Sequence, residues 1–197
     1  MDRKEEIIKS ALFLASKNGL SNITMSQIAK EVGIQKPSLY NHFKSKEELI
    51  DEMYNFLKEK SKEITLGNFD YENLIKNNSL QDILTTTVNN YFKICTQSDM
   101  FLFYKVIYSE RTFNKTATKI LIEETNKMIL ATKNLFYALK AHDKIMTNNI
   151  DMLATSYALT IHSLIDNKID YLTLDKENNN LLENYIIWFS KEYGNHQ

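Results

Sequence analysis

The sequence has few of the residues that interrupt helices or cross-link chains, with one proline, four glycines and one cysteine among its 197 residues. Because turns between strands depend on glycine and proline, this scarcity argues against a strand-and-turn architecture. The single cysteine, Cys95, excludes an intrachain disulfide and a thiolate metal cluster. We expect Cys95 to be a small buried apolar side chain, with redox sensing as the alternative. The abundance of Leu, Ile, Lys and Glu predicts an all-α protein of about nine helices.

Long apolar runs and catalytic signatures are also missing. No run approaches the roughly 18 residues of a membrane span, and the first ten residues, MDRKEEIIKS, lack the apolar core of a secretory signal, so we expect a cytoplasmic protein without a membrane partner. The few glycines form no phosphate-cradling loop, and no HExxH, GxSxG or CxxC pattern occurs. The histidines His142, His162 and His196 suggest no metal site. The expectation is a protein that is not an enzyme and holds neither metal nor cofactor.

Charge is nearly balanced overall but unevenly distributed. Residues 1–46 carry eight basic and four acidic side chains, a net charge of +4, whereas the remaining 16 basic and 21 acidic residues give −5. A basic amino-terminal segment joined to an acidic remainder is typical of a DNA-binding head on a separate body.

The stretch from Thr24 to Lys46, TMSQIAKEVGIQKPSLYNHFKSK, predicts two short helices around one tight turn. Thr24 and Gln27 have the spacing of a capping box, which starts the first helix near residue 25. Gly33 supplies the positive φ of a turn, and Pro37 suits the first position of a second helix that ends near residue 43.

At about 100° per residue, Leu39 and Phe43 fall on one side of this second helix and point towards the core. The other side carries proline, serine, asparagine and histidine. Such a mixed polar face is typical of a helix that reads DNA in the major groove, with an ordinary solvated face as the alternative.

The pattern LxxxxGxxxITMSQIAKEVGIQKPSLYNHFKSKEEL resembles the amino-terminal domain of the TetR (tetracycline repressor) family of bacterial regulators, over roughly the first quarter of the chain. The resemblance implies a three-helix helix-turn-helix domain, here residues 1–46, joined to a larger helical ligand-binding and dimerisation domain, residues 47–197. It further implies a homodimeric repressor that a small molecule releases from a palindromic operator in double-stranded DNA.

The resemblance also assigns DNA-binding roles to individual residues. Base edges are expected to be read by Lys36, Pro37 and Ser38, with Asn41 as a further candidate. Phosphate contacts are expected from Thr24, Ser26, Tyr40, His42 and Lys46. Two alternatives are structural, because Tyr40 could pack its ring and His42 could cap its helix.

The body is predicted to follow a linking helix that ends near residue 63 and a loop over 65–78. Its helices are expected near 80–96, 99–109, 114–141, 148–171 and 176–193. Apolar stripes on the last two could build a four-helix dimer interface with a second copy, or could face the chain's own core. The residues expected at the dimer interface are Tyr157, Ile161, Ile165, Leu182, Tyr185, Ile186 and Phe189.

Aromatic residues on the body helices predict a pocket for a small apolar or aromatic ligand, although most such residues are simply core. The candidate ligand-binding residues are Phe92, Phe103, Tyr104, Tyr108, Arg111, Tyr137 and Tyr157. Arg111 could bind an anionic ligand or form a surface ion pair. The alternative function is a DNA-bound interaction protein of the same fold, whose body engages a protein partner instead of a small molecule.

Overall fold

The computed structural model describes residues 2–65, 71–174, 176 and 180–195, which contain ten α-helices and no β-strand. The helices are α1 (Arg3–Asn18), α2 (Met25–Val32), α3 (Lys36–His42), α4 (Lys46–Thr65), α5 (Tyr71–Asn77), α6 (Leu80–Cys95), α7 (Ser98–Glu110), α8 (Lys115–Ala141), α9 (Ile150–Thr173) and α10 (Leu181–Tyr193). The all-α prediction is confirmed. Among these described helices, none combines the length and apolar composition that crossing a bilayer requires.

The helix count exceeds the predicted nine because α5 occupies part of the segment predicted to be a loop. Its Ile75 is 1% exposed and belongs to a hydrophobic core, so tertiary burial stabilises a helix whose asparagines favour a turn. The rest of that loop prediction, residues 66–70, lies outside the described residues. The last helix begins at Leu181, later than the predicted residue 176, and residues 177–179 also lie outside the described part.

The chain packs into two compact units, one formed by Met1–Gly67 with Cys95–Ile122 and the other by Asn68–Ile94 with Glu123–Gln197. Packing units need not coincide with functional domains. The functional boundary between residues 46 and 47 therefore stays a prediction.

The first unit is built on the apolar stripe of α1. Asp2 caps this helix by accepting the Lys4 N–H at 3.4 Å, and Gly19 ends it with φ +80°. The buried α1 side chains share one core with α2, α3, α4, α7 and the start of α8, and its members include Ile7, Leu12, Ile28, Leu39, Phe43, Met53, Phe103 and Ile107. The short recognition elements are thus stabilised by tertiary burial.

An ion-pair network joins three helices of the first unit. Asp99 at the start of α7 lies 2.6 Å from the Lys60 ammonium on α4 and 3.7 Å from the Lys9 ammonium on α1. Burial alone would raise the pKa of Asp99, but the hydrogen bond and charge of Lys60, together with Lys9, outweigh it and hold the pKa below its ordinary value.

The second unit contains its own core, drawn from α5, α6, α8, α9 and α10. An aromatic cluster extends from this core to the surface at Trp188 and consists of Phe136, Tyr157, Tyr185, Trp188, Phe189 and Tyr193. Lys168 on α9 pairs with Glu183 on α10, and its ammonium lies 5.2 Å from the centre of the Phe92 ring.

Candidate nucleic-acid interface

The turn between α2 and α3 forms as its sequence predicts. The Thr24 hydroxyl accepts the Gln27 N–H at 3.3 Å and the Gln27 side chain accepts the Thr24 N–H at 2.8 Å, which completes the predicted capping box. Gly33 follows Val32 with φ +74° and ψ 30°, and the Ile34 N–H donates to the Ala29 carbonyl at 2.9 Å. This left-handed residue ends α2 and redirects the chain into α3.

Helix α3 is held from beneath by two side chains. Leu39 is 0% exposed and Phe43 is 1% exposed, and both belong to the first unit's core. Pro37 lies in the first turn, where its missing N–H costs nothing. These contacts fix the rotation of α3 about its axis and so decide which residues face outward.

The residues predicted to read DNA lie on the outward side of α3. Lys36, Pro37 and Asn41 are exposed, and Tyr40 is 42% exposed. Ser38 and His42 are partly exposed. The Lys36 ammonium lies 5.9 Å from the centre of the Tyr40 ring, which brings a cation and a phenol together on one face of the helix.

The first residues of α2 and α4 carry the other predicted phosphate contacts. Thr24 and Ser26 are exposed at the start of α2. At the start of α4, the Lys46 ammonium donates to the Ser21 carbonyl at 3.1 Å, so this lysine is held against the segment between α1 and α2. This hydrogen bond joins residues 25 positions apart and was not predicted from the sequence. The role of Lys46 as a phosphate contact stays a prediction.

The start of α4 favours negative charge. The Glu48 N–H donates to the Ser45 hydroxyl at 3.1 Å, and the Glu48 carboxylate accepts the Lys44 N–H at 2.6 Å. Backbone hydrogen bonding at Glu47 itself, followed by the Ser45 hydroxyl, holds the pKa of Glu47 below its ordinary value. Amide groups that stabilise a carboxylate can also bind a phosphate oxygen. Lys44 is exposed between α3 and α4 and was not among the predicted contacts, although its position between two predicted groups of DNA contacts was a usable signal.

Four predicted ligand-binding residues belong to the first unit. Phe103 is 1% exposed in its core, with its ring centre 5.7 Å from that of Tyr104. The Arg111 guanidinium lies 5.5 Å from the centre of the Tyr108 ring, at the end of α7. Phe103 thus lies beside Tyr104, and Arg111 lies beside Tyr108. The ligand-binding role of these four residues stays a prediction.

The other predicted ligand-binding residues belong to the second unit, where Tyr157 lies in the core and Phe92 packs against that core. Phe92 lies beneath Lys168, and Tyr137 is 49% exposed with its hydroxyl donating to Asp151 at 2.9 Å. Tyr157 is 4% exposed, and its hydroxyl has no hydrogen-bond partner among the described residues. Burial, followed by the proximity of Tyr185, raises the pKa of Tyr157 far above its ordinary value.

The predicted dimer stripe is buried in the chain's own second unit. The buried members are Tyr157, Ile161, Ile165, Leu182, Ile186 and Phe189, and Tyr185 is partly buried. Other apolar side chains of α9 and α10 are exposed, and they include Leu159, Leu181, Ile187 and Trp188. The interface itself stays a prediction, but the outward face of these helices is now defined.

Comparisons with known proteins support the interpretation of the amino-terminal segment. Residues 7–53 match the family model described as bacterial regulatory proteins of the tetR family. The chain is 47% identical over 49 residues to the uncharacterised HTH-type transcriptional regulator YerO of Bacillus subtilis, and 39% identical over 59 residues to the nucleoid occlusion factor SlmA of Escherichia coli. These segments cover 25% and 29% of this chain, but only 17% and 30% of the two relatives.

Solved structures support the fold over nearly the whole length. A TetR transcriptional regulator from Chloroflexus aurantiacus gives a TM-score of 0.72 at 16% identity, covering 95% of this chain and 92% of that one. A complex of SmeT with triclosan gives 0.65 at 10% identity, covering 98% and 92%. Together with the amino-terminal match, these likenesses confirm the resemblance predicted from the sequence.

Proposed function

We propose that this chain is a sequence-specific transcriptional repressor that a small molecule releases from DNA. The premise is the match of residues 7–53 to the tetR family of bacterial regulatory proteins, which makes this segment the DNA-binding domain. The observation that carries the proposal is the polar outward face of α3. Leu39 and Phe43 hold that helix in the core, so its reading side chains are fixed towards solvent. A regulator of chromosomal DNA acts in the bacterial cytoplasm, and we propose that location.

Each part of the surface suits a different part of the duplex. The Lys36 ammonium can donate to the O6 and N7 acceptors of guanine, and the Pro37 ring can pack on a thymine methyl. Tyr40 and His42 can donate to phosphate oxygens on either side of the groove, and the amides opening α4 can bind another. The phosphate contacts set the register, and the base contacts select the sequence.

Binding a palindrome requires two copies whose recognition helices are about 34 to 36 Å apart. We propose that the second copy packs on the outward face of α9 and α10, where Trp188 is 51% exposed and Leu159 is 46% exposed. Leu181 and Ile187 extend the apolar surface. The buried stripe behind them would keep both helices rigid. Small changes in the angle between copies would then alter the spacing of the two readers.

The proposed ligand site centres on Tyr157. Its buried hydroxyl is an unused donor, and the centre of its ring lies 5.1 Å from the ring centre of Phe136 and 4.6 Å from that of Phe189. An aromatic or apolar molecule that carries one hydrogen-bond acceptor would satisfy the hydroxyl and keep the apolar contacts. If this molecule bound more tightly to the dimer conformation that cannot dock on DNA, it would shift the population away from the DNA-binding conformation.

The test is selection of a binding site from a random duplex library with the 197-residue protein, followed by mobility shift of the enriched sequence. We expect enrichment of a palindrome. Lys36→Ala should weaken the shift by a factor of roughly 5 to 150, because each good base contact contributes about 1 to 3 kcal/mol. Lys176→Ala, which removes an exposed lysine from the second unit, is the control for the loss of one positive charge. No enrichment at low salt would overturn the proposal.

The second candidate is a DNA-bound protein whose body engages a protein partner. The observation that favours it is the likeness to SlmA proteins, named as nucleoid occlusion factors, although the likeness covers about 30% of their length. If neither a small-molecule library nor a cell extract's metabolite fraction releases the protein from the selected duplex, this candidate replaces the ligand-responsive repressor.

A further inference from the structure

The turn between α7 and α8, residues 111–114, lies beside the turn that leads into α2. The contact is made by Glu110, whose carboxylate accepts the Leu20 N–H at 3.3 Å across 90 positions of sequence. The next residue, Ser21, accepts the Lys46 ammonium, and Thr24 caps α2 three residues later. The four residues from Leu20 to Thr24 span at most about 14 Å, so the Glu110 contact lies close to two predicted phosphate contacts, Thr24 and Lys46.

The α7–α8 turn has a defined conformation. The Glu110 carbonyl accepts the Phe113 and Asn114 N–H groups at 3.0 and 2.9 Å. The Thr118 hydroxyl donates to the Arg111 carbonyl at 2.6 Å, and the Asn114 side chain caps α8 by accepting the Thr116 N–H at 2.9 Å. Glu110 therefore holds the turn through its backbone and the neighbouring segment through its side chain.

This part of the body is basic, in contrast to the body as a whole. Residues 105–119 include four basic side chains and one acidic one, and that acidic residue is Glu110, which is occupied by the Leu20 N–H. Arg111 and Lys115 are exposed at the two ends of the turn. The Arg111 guanidinium also lies near the Tyr108 ring. This contact already restricts the arginine side chain, so less conformational entropy is lost when it binds an anion.

We propose that Arg111 and Lys115 contact backbone phosphates of duplex DNA outside the base pairs that α3 reads. The inference rests on the proposed function and extends its DNA surface from the amino-terminal helices to the body. Arg111 would bind a phosphate through its planar donors, and Lys115 would act as a point charge. These contacts would add affinity without adding sequence preference.

The experiment measures affinity against salt concentration for the wild type and the Arg111→Ala/Lys115→Ala variant. Two duplexes carry the selected site, one trimmed to its outermost specified base pair and one extended by about ten base pairs, one helical turn, on each side. On the long duplex, the variant should bind about tenfold more weakly at about 50 mM salt, with a salt slope shallower by about 0.9 for each phosphate that it no longer neutralises. On the trimmed duplex, the two proteins should bind alike.

The control is Lys140→Ala/Lys176→Ala, which removes the same charge from exposed positions of the second unit and should keep the wild-type slope. Equal salt slopes for the wild type and the Arg111→Ala/Lys115→Ala variant on the long duplex would overturn this inference. The basic turn would then be assigned to an acidic protein partner, and the proposed function would stand. A wild type that shifts neither duplex would overturn the proposed function and this inference with it.

Discussion

Removal of the Tyr157 hydroxyl should make the ligand-free protein more stable. Tyr157 is 4% exposed, and its hydroxyl has no hydrogen-bond partner among the described residues, so Tyr157→Phe removes a polar group that gains nothing from folding. The phenyl ring keeps its contacts with Phe136 and Phe189.

The magnitude follows from the cost of burying a donor without an acceptor, about 1 to 3 kcal/mol. After allowance for small relaxation in the native protein, we expect the free energy of unfolding to rise by about 1 to 2 kcal/mol. For a chain of this size that corresponds to an increase in the midpoint of thermal unfolding of roughly 3 to 6 °C.

The assay is urea denaturation followed by circular dichroism, with every variant at the same protomer concentration because dimers gain stability with concentration. The matched control is Tyr185→Phe. The Thr160 side chain is a polar neighbour of the Tyr185 hydroxyl, so this change should lower the free energy of unfolding, by at most about 1 kcal/mol.

The two tyrosines should therefore respond with opposite signs. If Tyr157→Phe lowers stability by about 1 kcal/mol or more, the hydroxyl has a partner in the native protein and is not an unused donor. The same variant should lose affinity for any ligand that depends on this hydroxyl.

Three further changes test other parts of the structure. Gly33→Ala should lower the free energy of unfolding by about 1 kcal/mol. The cost comes from the positive φ of +74° alone, because an added Cβ meets nothing within 4 Å. Gly33→Asn should cost less in the same denaturation assay, because asparagine tolerates this conformation better. Asp99→Asn should lower stability at pH 7. The deficit should shrink as the pH falls below the ordinary carboxyl pKa of 3.8 and vanish below the lowered native pKa, because a depressed pKa stabilises only the ionised group. Trp188→Glu should convert the dimer to monomers in light scattering, and Trp188, the only tryptophan, should shift its emission to the red when the wild type is diluted.

Local signals account for what the sequence predicts well. The capping box at Thr24 and Gln27, the left-handed Gly33 and the inward pair Leu39 and Phe43 each depend on neighbours within a few residues. The orientation of α3 therefore follows from pattern alone.

Long-range contacts explain what the sequence does not show. Helical periodicity marks the apolar stripe with Ile161 and Ile186 but cannot say whether a second copy or the chain's own core covers it, and the structure buries both side chains. The Glu110 contact with Leu20 joins segments 90 positions apart, so no local pattern encodes it. Burial of Ile75 likewise stabilises the helix α5 in a segment whose composition favours a loop.

Hydroxyl-radical footprinting on the selected duplex can show whether the polar face of α3 reads DNA as one of a symmetric pair. We expect two protected half-sites related by two-fold symmetry, with centres about one helical turn apart. We also expect Lys36→Ala, at equal occupancy, to protect the same phosphates with a weaker preference for the selected sequence, because the other base contacts of α3 remain. A single protected tract, or unchanged sequence preference in Lys36→Ala, would show that α3 does not read DNA in this way.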